Sequence, residues 1–139
     1  MAEGVDCHFY PNAGRDRLGA LYANAAVLVH AAGYGVDPLR NPDRLEHFGI
    51  TPVESSSFGC IPVAYAEGGP AEVLPLLGCD TGFHTTEEAV AVIGRILDDS
   101  DASSALSDEL PGRAAMFSAE SFRERVSKAL VDLAVPGPW

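Results

Sequence analysis

Basic residues are scarce in this chain: 9 lysines and arginines stand against 20 aspartates and glutamates, for a net charge of −11. A nucleic-acid binder needs a basic face to displace the counterions of the phosphate backbone, so that class is excluded. An electrostatic anchor to anionic lipid is excluded on the same ground. Cysteine is scarce too. Cys7, Cys60 and Cys79 are odd in number, widely spaced and without a Cys-x-x-Cys pair, which fits neither a disulfide framework nor a structural zinc site and reads as buried, reduced thiols. His8, His30, His47 and His84 are dispersed with no His-x-x-x-His pair, so no protein-bound metal is expected. No apolar run approaches the length of a membrane span, and Met1-Ala2-Glu3-Gly4 does not read as a signal peptide. The expected location is the cytoplasm.

What is present fits one globular domain over residues 1–139, with 47% hydrophobic and 21% charged residues. Cys7 to Ala13 reads as a short strand entering a turn at Pro11-Asn12. From Asp16 to Ala26, Leu18, Leu21, Tyr22, Ala25 and Ala26 mark one face of a helix. Val27 to Ala31 is a β-branched and apolar run suited to a strand buried on both faces, and a long polar loop follows from Gly33 to Leu45.

The next helix is predicted to start with Thr51 as N-cap, Pro52 first and Glu54 third, and to stop at Gly59. Ile61 to Tyr65 is the next buried strand. Gly68-Gly69-Pro70 turns into a short helix ending near Leu77, and Gly82-Phe83-His84 reads as a brief strand.

Thr85-Thr86-Glu87-Glu88 is a capping box opening a helix to Asp98, with Ala89, Val90, Val92, Ile93, Ile96 and Leu97 as its apolar stripe. Asp99 to Ser104 reads as a polar break, and a helix is predicted from Ser104 to Met116. A last helix, about residues 118–134, opens at Ser118 with Phe117 and Phe122 as a hydrophobic staple, and its seam is Phe122, Val126, Leu130 and Leu133. The Pro/Gly-rich tail from Val135 to Trp139 is not expected to be helical.

Strands alternating with helices through short links mean a parallel sheet with helices on its faces. Ligands of such sheets bind beyond the carboxyl ends of the strands, which points to residues 32–54 and 67–72. Within them Glu46-His47-Phe48-Gly49-Ile50-Thr51-Pro52-Val53-Glu54 sets two acids around an apolar turn at a helix start. Backbone amides near Gly49 and Ile50 suit an anionic group, and Gly68-Gly69 lets a second backbone segment approach the same ligand. From spacing alone, Glu54 is read first as the closing residue of a capping box and Glu46 as a loop acid. A paired-carboxylate hydrolase is the competing chemistry, but both acids are better disposed to accept hydrogen bonds from hydroxyls than to flank a scissile bond. His30 ends a strand, where it either lines the site or serves as a core histidine; His47 either packs or contacts ligand.

The Glu46 to Glu54 stretch, followed by Gly59-Cys60-Ile61-Pro62-Val63 and Gly68-Gly69-Pro70-Ala71-Glu72, resembles retaining glycosyltransferases of family 4. The likeness extends upstream through Leu21 to Ala25, Val29-His30-Ala31 and Gly33 to Asp37, and downstream to Gly82-Phe83 and the Phe117-Ser118 helix start. It implies a Rossmann-like α/β sheet with helices on both faces, an incomplete C-terminal, donor-binding domain of the GT-B fold. It further implies that Glu46 bonds hydroxyls of a donor sugar, with His47 beside it, and that the Phe48-Gly49-Ile50 backbone approaches the sugar and diphosphate. Glu54 would accept from the ribose. The donor implied is a nucleotide-diphosphate sugar, UDP- or GDP-linked, with no catalytic metal.

Two departures stand out. Ser55-Ser56-Ser57-Phe58-Gly59 replaces the family's usual Ala-Met-x-x-Gly, and no residue matches the Arg and Lys that bind the diphosphate earlier in that domain. The resemblance therefore implies a chain that supplies the donor-binding part of a sugar transfer with retention, and that is catalytically incomplete without an N-terminal acceptor domain or partner chain. The alternative is a non-catalytic nucleotide-sugar-binding module or subunit. An uncovered sheet edge would favour self-association.

Overall fold

A computed structural model describes residues 4–133 of the chain. Three parallel strands form its sheet, in the order β1 (Val27–His30), β2 (Ile61–Tyr65), β3 (Gly82–Phe83). Val27 pairs with Ile61 and His30 with Ala64, while Ala64 and Tyr65 pair with Gly82 and Phe83. The helices are α1 (Arg15–Ala23), α2 (Ile50–Ser57), α3 (Gly69–Leu76), α4 (Thr86–Asp98), α5 (Ser100–Ala114) and α6 (Ala119–Asp132).

Every residue of β2 is buried, because successive residues feed two separate cores. Ala64 joins Val73, Leu74, Leu77, Leu110 and Ala114 on the side of α3 and α5. Val63 and Tyr65 join Phe83, Ala89 and Val92 under α4. Helices thus cover both faces, giving the Rossmann-like α/β arrangement of a partial GT-B domain. Strand β1 departs from the expected double burial: Val29 is 53% exposed. β1 is an edge of the sheet and α4 packs chiefly on β2 and β3; half-buried Val27 still reaches the α4-side core, whereas Val29, two residues on, does not join it.

Other expectations need correction. Cys7 to Ala13 makes the turn at Pro11-Asn12 but no strand, since among the described residues no neighbouring strand pairs with it. Helix α1 ends at Ala23, where Asn24 caps it by donating from Nδ2 to Ala20 O at 2.8 Å, so Ala25 and Ala26 fall outside. Asp99 alone breaks the chain after α4, because its Oδ1 accepts Ala102 N–H and starts α5 at once.

Thr85 and Glu88 form the expected capping box. Of the apolar stripe, Ala89 and Val92 are buried and Ile93 and Ile96 half-buried, while Val90 and Leu97 turn outward. The buried set follows i, i+3, i+4, i+7, and the other two lie about 100° round the helix. Ser118 caps α6 as expected, yet no residue of α6 is buried; Phe122, Val126 and Leu133 of its apolar seam are exposed. The expected non-helical tail, 135–139, lies outside the described residues.

Candidate functional site

The carboxyl ends of β1, β2 and β3 converge on the loop that precedes α2 and the turn that precedes α3. Glu46 organises the meeting. Its Oε1 accepts the backbone N–H groups of Phe48 at 3.2 Å and Gly49 at 3.1 Å, and its carbonyl oxygen accepts Gly69 N–H at 2.7 Å. Its Oε2 faces His30 Nε2 at 3.5 Å. One residue therefore ties the end of β1, the start of α2 and the start of α3 together.

The two loops touch through backbone, and glycine is what permits it. A Cβ added at Gly68 would meet Glu46 O inside 3.0 Å, and one at Gly69 would meet the backbone of Phe48 inside the same limit. Gly68 also has φ +65°, a left-handed conformation that side chains resist.

The Glu46 carboxyl is held below its ordinary value. The Phe48 N–H is the largest cause; partial burial opposes it, and the Gly49 N–H and His30 add to the lowering. An ionised oxygen receiving backbone donors is favoured over its protonated form. Glu46 is thus a fixed acceptor, still 29% exposed at its side chain.

Helix α2 starts earlier than its sequence pattern indicates. Gly49, at φ +94°, is the N-cap, and Thr51 lies within the first turn. Pro52 is tolerated there because the first N–H groups of a helix have no intrahelical partner. The Glu46 carboxylate captures the amides just upstream and sets the start. No capping box forms, and Glu54 is exposed with no side-chain hydrogen bond among the described residues. Ile50 and Glu54 lie four residues apart, and hence on one helix face. Burial first, then the negative charge of Glu54, raises the Tyr22 hydroxyl.

Of the residues singled out from sequence, the structure brings together His30, Glu46, Phe48, Gly49, Gly68 and Gly69. His47, Phe48 and Ile50 are exposed beside them. Glu54 stands apart by one helical turn. Tyr34 and Glu67, within the expected stretches 32–54 and 67–72, also border the site, as do His84 and Phe117, which the sequence did not single out for it. Tyr34 Oη lies 3.1 Å from Thr86 Oγ1 and its ring meets Tyr65 edge-on at 5.4 Å. Glu67 lies 3.6 Å from His84 Nδ1, and Phe117, from beyond α5, sets its ring 5.7 Å from Phe48. Position at a strand's carboxyl end was the one sequence signal available for Glu67 and His84.

A concavity of about 810 Å³ opens elsewhere, lined by Asp80, Arg95, Asp98 and Asp99 among others. It adjoins the amino end of β3, opposite the crevice where α/β sheets bind ligands, and shares no residue with the Glu46 cluster. No helix among the described residues is long and apolar enough to cross a membrane.

Residues 3–110 match the model of the family described as Glycosyl transferases group 1. Over 50 residues the chain is 44% identical to a glycogen synthase of Chlorobium limicola (strain DSM 245 / NBRC 103803 / 6330), a stretch covering 36% of this chain and 10% of that protein. No solved structure matches the chain. With most of its length matched by the family model, the chain belongs to the group 1 glycosyl transferases.

Proposed function

We propose that this chain grips the donor in a glycosyltransferase that moves a sugar from a nucleotide-diphosphate sugar, UDP- or GDP-linked, to an acceptor with retained anomeric configuration. The observation that carries the reading is the Glu46 carboxylate: ionised, fixed by two backbone N–H groups, and open beside the start of α2. A fixed acceptor suits a polyol, and the free amides of a helix start suit a diphosphate. In this reading Glu46 accepts from donor hydroxyls. His47, Phe48, Gly49 and Ile50 flank the sugar and diphosphate, Gly68 and Gly69 admit it closely, and Glu54 accepts from the ribose one turn along α2. The reading requires no resident metal.

A second reading is a nucleotide-sugar-binding module or subunit whose site is completed by a partner chain or by a further, acceptor-binding domain. What favours it is the chemistry of the cluster: no lysine or arginine is among the gathered residues, and neutralising a leaving diphosphate is a large catalytic contribution. Calorimetry against UDP-, GDP- and ADP-sugars, with Glu46→Ala and Glu54→Ala as controls, tests both readings. Binding lost in the two variants supports the donor site. Transfer to an acceptor by the chain alone, with the product anomer read by NMR, decides for the enzyme over the module. Absence of binding by every nucleotide sugar overturns both.

A further inference from the structure

His30 is the last residue of β1, and its side chain is only 15% exposed. Its Nε2 is fully buried and makes no hydrogen bond among the described residues, yet it faces Glu46 Oε2 at 3.5 Å. A buried polar atom without a partner is destabilising, a cost that an apolar side chain of similar volume would avoid. Glu46 Oε1 already accepts two N–H groups, so Oε2 is the oxygen whose orientation remains to be set. Being buried, Nε2 has no open path to a ligand except through that carboxylate.

We infer that His30 is a positioning residue for Glu46: its Nε2–H holds Oε2 so that the carboxylate's open lone pairs point at a hydroxyl-bearing ligand. The inference rests on the donor-site reading above and assigns His30 a role behind the ligand rather than against it. It also requires a proton on Nε2, because a bare Nε2 would set a lone pair against the carboxylate. Hydrogen bonds of this kind are often long in an empty site and tighten when ligand is bound. The other groups meeting Glu46 are the backbone amides of Phe48, Gly49 and Gly69, which are insensitive to a change of side chain at position 30.

The test compares the full chain with its His30→Leu, His30→Phe and His30→Gln variants. The Glu46 carboxyl is titrated by NMR with no ligand present, and binding is measured for a nucleotide sugar and for the matching free nucleoside diphosphate. Loss of the Nε2 donor in the Leu and Phe variants should move the Glu46 titration upward. It should also weaken the nucleotide sugar about tenfold while leaving the free diphosphate unchanged. The Gln variant, which keeps an N–H donor, should recover much of both effects. Phe fills the ring's volume, so the comparison survives if Leu fails to fold. An unchanged Glu46 titration in a folded Leu or Phe variant overturns the inference. Because that readout needs no ligand, failure of wild type to bind any nucleotide sugar would sink the proposed function and leave the role of His30 decided on its own evidence.

Discussion

Strands β1 and β2 lie side by side with matched register, yet they are used differently. All five residues of β2 are buried, whereas β1 has none buried and shows Val29 to solvent. The difference follows from what stands on each: α3, α4 and α5 feed side chains onto β2, whereas at the edge strand β1 only half-buried Val27 joins the α4-side core and Val29 does not. Stability is therefore concentrated around β2, and β1 contributes chiefly by delivering His30 to the site. Deletions in the two regions should separate widely. Leu110→Ala, at a side chain with no exposure that packs in the β2 core, should cost about 2–5 kcal/mol in denaturant unfolding. Val29→Ala should cost less than about 1 kcal/mol. Equal costs would break the comparison and mean that the β1 face is covered in solution, a result that sedimentation would then show as association.

The same contrast explains which parts were legible in the sequence. The β2 run, the Thr85-Glu88 box and the Gly68-Gly69 turn carry short-range signals that no later contact overrules. The β1 run looked equally buried because an apolar, β-branched segment does not encode whether a helix will lie above it. The seam of α6 failed for the same reason: periodicity identifies a face, and only tertiary structure says what meets it. The start of α2 is not encoded in the Thr51 to Glu54 pattern, because the Glu46 side chain, outside the helix, sets it through two backbone amides. His84 and Phe117 reach the site by packing between distant segments, which pattern reading does not register. Glu46 itself was legible through resemblance; its ties to His30 and Gly69 were not.

The junction between the loops following β1 and β2 sharpens the comparison next. Gly69→Ala forces a Cβ into the Phe48 backbone, and relief requires the two loops to part. Overpacking of this kind should cost about 1–3 kcal/mol and weaken nucleotide-sugar binding at least about tenfold. A variant that keeps wild-type stability and affinity would show that the loops are not held as closely as the structure has them. At the carboxyl end of β3, Thr85→Ala removes an N-cap hydrogen bond of α4. It should cost about 1 kcal/mol and change nucleotide-sugar affinity less than Gly69→Ala does.

Glu46 links stability to pH in one direction. Because its folded carboxyl sits below the ordinary value of 4.5, the unfolded chain binds that proton more readily. The stabilisation it gives is complete above the ordinary value and disappears as pH falls through the lowered one. Unfolding followed from about pH 6 down to about pH 3 should show wild type losing more stability than Glu46→Gln. Parallel pH profiles would mean that the carboxylate is not held by the Phe48 and Gly49 amides.

The smallest expected effect on stability is at Glu54, and its smallness is the point. Had Glu54 closed a capping box with Thr51, replacing it would weaken α2; instead Gly49 caps the helix and Glu54 is exposed without a side-chain hydrogen bond. Glu54→Ala should therefore change unfolding free energy by no more than about 0.5 kcal/mol, while reducing nucleotide-sugar affinity through loss of the ribose contact proposed for it. The two readouts move independently only if the carboxylate serves a ligand rather than the fold. A loss near 1 kcal/mol with unchanged affinity would restore the capping role and leave Glu46 as the single acid of the site.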